Sequence, residues 1–84
     1  MEEDIASNIG FIMGNAQRER VMQILGSKGS MTAEKIAKFE RFPLQGVKRV
    51  LEDLAQRQMI TEKSGSWNLT EFGKEIEKEM KKRA

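Results

Sequence analysis

No cysteine and no histidine occur in the 84 residues. The first absence excludes disulfides and thiolate metal sites. The second removes the commonest general base and the commonest metal ligand. Neither staple is present in a chain close to the size at which one apolar core must hold unaided. No cofactor and no metal are therefore expected. No apolar run approaches the roughly 18–20 residues of a membrane span, so no membrane partner is expected either. The opening "MEEDIASNIGF" is acidic and does not read as a secretory signal. A cytoplasmic protein fits these features. The carboxylates are scattered and no glycine-rich phosphate loop accompanies them, which argues against an enzyme.

The net charge of +2 says little, but its distribution says more. Three of the 13 acids, Glu2, Glu3 and Asp4, lie in the first 14 residues, which hold no base. The rest of the chain therefore carries 15 bases against 10 acids. Between Lys35 and Arg49 there are five bases (Lys35, Lys38, Arg41, Lys48, Arg49) and one acid, Glu40. Such a cluster is what a phosphate footprint requires. It is also what an ordinary solvated surface looks like in a chain with 33% charged residues.

Breaks at Gly14, "GSKGS", "ERFP" and "KSGS" cut the chain into short pieces. Ile5, Ile9, Ile12 and Met13 are spaced for one helical stripe, though Gly10 and Gly14 weaken a helix there. Residues 1–14 are read as a separate N-terminal segment and 15–84 as the main domain. Asn15 is a suitable N-cap. Ala16, Val21, Ile24 and Leu25 then make an inward stripe, and Gly26 is placed to stop the helix. Ser30 and Met31 suit a very short strand. Thr32 caps a second helix with Ala33, Ile36 and Ala37 inward, ending near Phe39 or Glu40. Phe42 follows as an apolar plug. Pro43 opens a third helix, where its missing N–H costs nothing.

The third helix, read as 43–58, is the most sharply divided. Val47, Val50, Leu51 and Leu54 form the buried stripe, with Leu44 at its margin. At about 100° per residue, Gln45, Arg49, Glu52 and Gln56 lie opposite, with Lys48 beside them. After it the period changes. Met59, Ile60, Trp67 and Leu69 flank "EKSGS", whose Ser64-Gly65 pair suits the tight turn of a two-stranded hairpin. Trp67 is read as a core residue facing the third helix. Thr70 caps a last helix, with Phe72, Ile76 and Met80 at four-residue spacing. Met13, Met22, Met31, Met59 and Met80 are read as core fillers. The fold class is mainly α with a small β element. A short helix, a tight turn, an amphipathic helix and a hairpin follow one another, which is a helix-turn-helix with a wing.

At these residues the chain resembles small archaeal and bacterial winged helix-turn-helix transcriptional regulators, broadly the ArsR- and MarR-like groups. "FIMGNAQRERVMQIL" is similar to the "LGNxxRxxIL" opening of that group. "MTAEKIAKFERFPLQGVKRVLEDLAQRQMI" matches its second helix, turn, recognition helix and first wing strand. "WNLTEFGKEIEKEM" resembles the second wing strand and last helix, where "LTxxG" is frequent. The resemblance covers residues 11 to about 80. It implies a three-helix core, a two-stranded wing and a C-terminal helix. Two departures stand out. The metal-sensing members use cysteine and histidine, and this chain has neither. Phe42-Pro43 and Gly46 stand where serine or threonine is common.

In this fold the third helix enters the DNA major groove. The resemblance places Leu44, Gln45, Lys48 and Arg49 at the reading positions. Their chemistry agrees, since glutamine pairs with adenine, arginine or lysine with guanine, and leucine can meet a thymine methyl. Lys35, Lys38 and Arg41 are expected at the phosphates, as are Lys63, Ser64 and Ser66 of the wing. Gly46 either lets the backbone approach a phosphate or relieves a crowded helix contact. Glu52 and Asp53 repel phosphate, so the reading surface is expected to end at Arg49. The partner is then double-stranded DNA. A homodimer through the terminal helices is expected if their stripes stay uncovered, and a monomer if those stripes close the chain's own core. The competing reading is a winged-helix adaptor that binds protein and reads no bases.

Overall fold

The computed structural model describes residues 3–83. The acidic opening noted above, Glu2, Glu3 and Asp4, lies outside the described side chains. Five helices and three short strands follow in the order α1 (Glu3–Met13), α2 (Ala16–Lys28), β1 (Met31–Thr32), α3 (Ala33–Glu40), α4 (Leu44–Gln56), β2 (Ile60–Lys63), β3 (Ser66–Leu69) and α5 (Glu71–Arg83). This is the winged helix expected from the sequence.

Local chemistry accounts for most boundaries. The Asn15 side chain accepts hydrogen bonds from the Gln17 and Arg18 amides at 2.9 and 3.0 Å, which starts α2. That helix runs past Gly26 and ends at Gly29, whose φ of 82° is open to glycine. Gly26 therefore does not stop the helix, as the sequence suggested. Its missing side chain instead makes room for Glu77 of α5, whose Cδ lies 2.8 Å from where a Cβ would stand. Thr32 caps α3 through the Lys35 amide at 3.1 Å. The helix closes at Arg41, which takes the left-handed conformation with φ 60°. The Phe42 amide then bonds back to the Ala37 carbonyl at 3.0 Å.

Pro43 stands one residue before α4, and its carbonyl accepts the first intrahelical bond from Val47 at 3.0 Å. The helix stops at Gln56, earlier than expected. Gln58 takes φ 64°, while the Gln58 and Met59 amides bond back to Ala55 and Leu54. This left-handed ending turns the chain directly into the wing.

Ser64 and Gly65 have φ of 53° and 85°, the paired positive values of a tight hairpin turn. Lys63 faces Ser66 across it. The expected two-stranded hairpin is there, and β1 extends it to a three-stranded sheet. The sheet order is β1-β3-β2, with Met31 opposite Trp67 and Thr32 opposite Ser66. A two-residue strand carries no period of its own, so its pairing was invisible in the sequence.

The "LTEFG" segment now has a mechanical reading. The Thr70 hydroxyl donates to the Gln58 carbonyl at 2.7 Å and accepts from the Gly73 amide at 2.9 Å. The Thr70 amide donates to the Met59 carbonyl. Any side chain at Gly73 would run into that same carbonyl. One threonine and one glycine thus lock the start of α5 onto the end of α4.

The core is one cluster. Ile9 and Ile12 of α1, Val21, Met22, Ile24 and Leu25 of α2, Ile36 of α3, the α4 stripe, Met59, Ile60, and Ile76 and Met80 of α5 all lie in it. Ile9, Ile12, Ile76 and Met80 of the terminal stripes are therefore covered within the chain. Ile5 and Phe72 are partly buried against the same core. Two other details differ from expectation. Ala16, at the first position of α2, is exposed. Met13 is 50% exposed because Ile12 occupies the inward position at the end of α1.

Beyond the apolar cluster, α1 is fastened by an aromatic clamp. The Arg18 and Arg57 guanidinium groups each lie 3.8 Å from the centre of the Phe11 ring. Arg18 also donates to the Phe11 carbonyl at 2.9 Å, and Arg57 to the Asn8 side chain at 3.2 Å. Three helices meet at this ring, because Arg57 caps α4.

Candidate nucleic-acid interface

The outward face of α4 follows from its inward one. Val47, Val50, Leu51 and Leu54 are buried, so residues three and four positions apart on the other side meet solvent. Gln45, Lys48 and Arg49 are exposed there. With Gly46 and Glu52 they line one shallow concavity of about 360 Å³. Leu44, the fourth expected reader, is partly buried against the core and presents only part of its side chain.

Lys35 and Lys38 on α3 and Arg41 in the turn are also exposed. The one acid in this basic stretch is turned away. Glu40 pairs with Arg20 of α2, Nε to Oε1 at 3.0 Å, and its side chain is only 8% exposed. Asp53 likewise faces Arg18, at 4.0 Å. None of Lys35, Lys38, Arg41, Lys48 and Arg49 forms an ion pair with any described residue. The fold thus separates its charges. Glu40 and Asp53 are held by Arg20 and Arg18, Glu34 and Glu52 stay exposed at the edges of the surface, and the bases are left facing solvent.

Gly46 is partly buried beside α2. A Cβ there would stand 3.1 Å from the Gln17 Oε1, so the glycine relieves a close α2–α4 approach while its backbone also borders the α4 concavity. Within the wing, Lys63 and Ser64 are exposed at the turn. Ser66 is partly buried, flanked in the sheet by Lys63 and Thr32. Trp67 packs against the core and faces α4, as expected, across a cleft of about 300 Å³ lined also by Lys48, Leu51, Glu52 and Glu62. Lys48 therefore lies between the exposed helix face and the wing.

Arg18 and Arg20 were not singled out in the sequence, although they set the charge pattern of this surface. Both lie in "NAQRERV", where two bases flanking an acid read as an ordinary polar helix turn. Only the packing of α2 beside α3 and α4 reveals which acids they meet.

Among the described residues no helix is long and apolar enough to cross a membrane, and no group of three acidic, histidine or cysteine side chains is placed to hold a metal. No family model and no curated protein matches the chain. Among solved structures it is similar to a MarR family regulator from Neisseria meningitidis, with a TM-score of 0.76 and 26% identity. The likeness covers 82% of this chain and 54% of that one, so the chain spans about half the length of that regulator. Its architecture is that of a winged helix-turn-helix, similar in fold to a MarR family regulator.

Proposed function

We propose that this chain is a sequence-specific DNA-binding transcriptional regulator that reads the major groove with α4. The observation that carries the reading is the separation of charge just described. Five bases on and beside a helix-turn-helix form no ion pair with any described residue, while the intervening acid is withdrawn to Arg20. A solvated surface has no need of that arrangement, whereas a phosphate backbone does. Gln45, Lys48 and Arg49 contact base edges, with the exposed part of Leu44 against a thymine methyl. Lys35, Lys38, Arg41, Lys63 and the serines at the wing hold the phosphates, and the Gly46 backbone borders them. Glu52, exposed one turn beyond Arg49, ends the reading surface. Selection of bound sequences from a random DNA pool tests this. A recovered consensus supports it, and recovery of unenriched DNA with affinity independent of salt removes it.

Dimerisation remains part of the proposal, through a different surface from the buried stripes. Ala6, Gly10 and Met13 form an exposed face on α1, with Met13 the one large apolar side chain there. A second copy packed on that face would present two α4 helices and favour a palindromic site. Sedimentation of the wild-type chain and of Met13→Glu decides the point. A wild-type chain that stays monomeric at high concentration removes the symmetric arrangement.

One observation favours the adaptor reading. Phe39 is 59% exposed on α3, with the Lys28 ammonium 5.0 Å from its ring centre. An exposed phenylalanine beside a lysine suits an acidic protein partner. Phe39→Ala should leave DNA affinity unchanged if that contact belongs to a protein.

A further inference from the structure

Glu77 is the buried charge that DNA binding does not use. It lies on the inward face of α5 with Gly73, Ile76 and Met80, and is 8% exposed. Burying a carboxylate is costly unless a partner compensates it. Its ion-pair partner among the described residues is Lys81, 3.8 Å away and 73% exposed, a loose pair at the surface. The location adds to the cost. The carboxylate fills the notch left by Gly26, in the last turns of α2, where the helix dipole disfavours a negative charge.

This carboxylate opens into a cavity of about 360 Å³ between the end of α2, β3 and the start of α5. Leu25 and Leu69 give it apolar walls, and Gly29 its rim. Asn68 lines it as well. The Asn68 Nδ2 donates to the Ser30 hydroxyl at 3.4 Å, which leaves its carbonyl oxygen as an acceptor. The site therefore combines a buried carboxylate, an amide oxygen, a helix C-terminus and apolar walls. All three polar elements favour a cation, and the walls favour an organic one.

We infer that this cavity binds a small organic ammonium ion, with Glu77 as its counter-ion and Asn68 as a second acceptor. Lys81 stands in for the ligand when it is absent, bringing its ammonium group to Glu77, while the lining Lys74 turns its own to Glu71 at 3.5 Å. Asn68 belongs to the central strand of the wing sheet, so occupancy ties the wing to α2 and α5. Binding then changes DNA affinity through the wing. That consequence rests on the DNA-binding reading above, whereas the ligand site itself does not.

The test is an NMR titration of the full chain with phenethylammonium chloride, with 2-phenylethanol as the uncharged control. Saturable shifts are expected at the Gly26, Gly29, Leu69 and Glu77 amides and at the Asn68 side-chain amide. The neutral control should give none of them. Glu77→Gln should weaken binding at least tenfold, and Lys81→Ala, which frees the carboxylate, should tighten it severalfold. Equal shifts with the alcohol, or an unaltered affinity in Glu77→Gln, overturn the proposal. Should Glu77→Gln fail to fold, the Lys81→Ala arm decides, and unchanged or weaker binding there overturns it. DNA affinity is then measured with and without the ammonium compound. A chain that binds the compound but no DNA refutes the DNA reading and leaves the site standing. A chain that binds DNA with no saturable ammonium shifts refutes the site alone.

Discussion

Arg41 offers a place where stability and DNA affinity should move in opposite directions. It closes α3 in the left-handed conformation with φ 60°, where glycine is the favoured residue. A side chain there costs about 1–2 kcal/mol relative to glycine. Glycine gives back about 0.4–1 kcal/mol through the greater freedom of the unfolded chain. Arg41→Gly should therefore stabilise the fold by roughly 0.5–1 kcal/mol over Arg41→Ala, which keeps the strain. In a domain of this size that difference raises the melting midpoint by about 2–8 °C. Both variants lose the same exposed, unpaired guanidinium. Both should then lose the same DNA affinity and flatten the salt dependence by about one unit of slope. Calorimetry and fluorescence anisotropy at several salt concentrations measure the two effects independently. Equal stability of the two variants would falsify the strain argument. Wild-type affinity in both would remove Arg41 from the phosphate contacts.

The other predictions separate packing from recognition. Gly73→Ala should destabilise the fold by about 1–3 kcal/mol, because the added methyl meets the Met59 backbone carbonyl rather than a flexible side chain; a denaturation midpoint matching wild type would show that α5 shifts freely. Arg49→Ala should cost about 1–3 kcal/mol on the preferred site and relax preference at one base position. Lys38→Ala should instead weaken binding to preferred and random DNA alike, so identical behaviour of these two variants would remove the division into readers and anchors. Arg20→Ala should release Glu40 toward the basic surface and weaken DNA binding, most at low salt, although Arg20 itself pairs inward. The double variant with Glu40→Gln should restore the affinity, and a failure to restore it would place Arg20 on the DNA instead.

Periodicity made the helices legible and left their junctions obscure. The α4 stripe could be read because apolar and polar residues divide cleanly through four turns. Thr32, Asn15 and Thr70 could be read as caps because their chemistry is local. Gly26 could not be interpreted, since its role is to admit a carboxylate from a helix some fifty positions later. The left-handed endings at Arg41 and Gln58 were hidden for a related reason. Neither is glycine or asparagine, so the turn is imposed by packing on both sides rather than by the residue itself. The terminal stripes misled for a third reason. An apolar face says that something covers it, and only the fold shows that α1 and α5 pack against one another and against α2. The candidate site shares this pattern. Its exposed bases were visible as a charge run, whereas the arginines that hold Glu40 and Asp53 aside were not.

Those arginines also explain why the basic residues are not interchangeable. Arg18 stacks on Phe11, bonds a carbonyl and faces Asp53, and Arg57 covers the other side of the same ring. A planar guanidinium can stack and donate in one geometry, whereas an ammonium cannot. Arg20 holds Glu40 through one short N–H···O contact. The lysines at 35, 38 and 48, by contrast, end in point charges on flexible stems and are left in solvent. On the proposed reading Lys35 and Lys38 meet a phosphate backbone, which tolerates that freedom because it presents charge at regular intervals, while Lys48 reaches a base edge. Arg41 and Arg49 are the exceptions on the exposed face, and on the proposed reading Arg49 brings a fixed fork of donors that distinguishes guanine from other bases. The distribution of arginine and lysine thus follows the demand for geometry. Arginine stands in the clamp around Phe11, where a contact must be oriented, and on the proposed reading Arg49 does the same at a base edge, whereas Arg41, Lys35 and Lys38 supply charge alone.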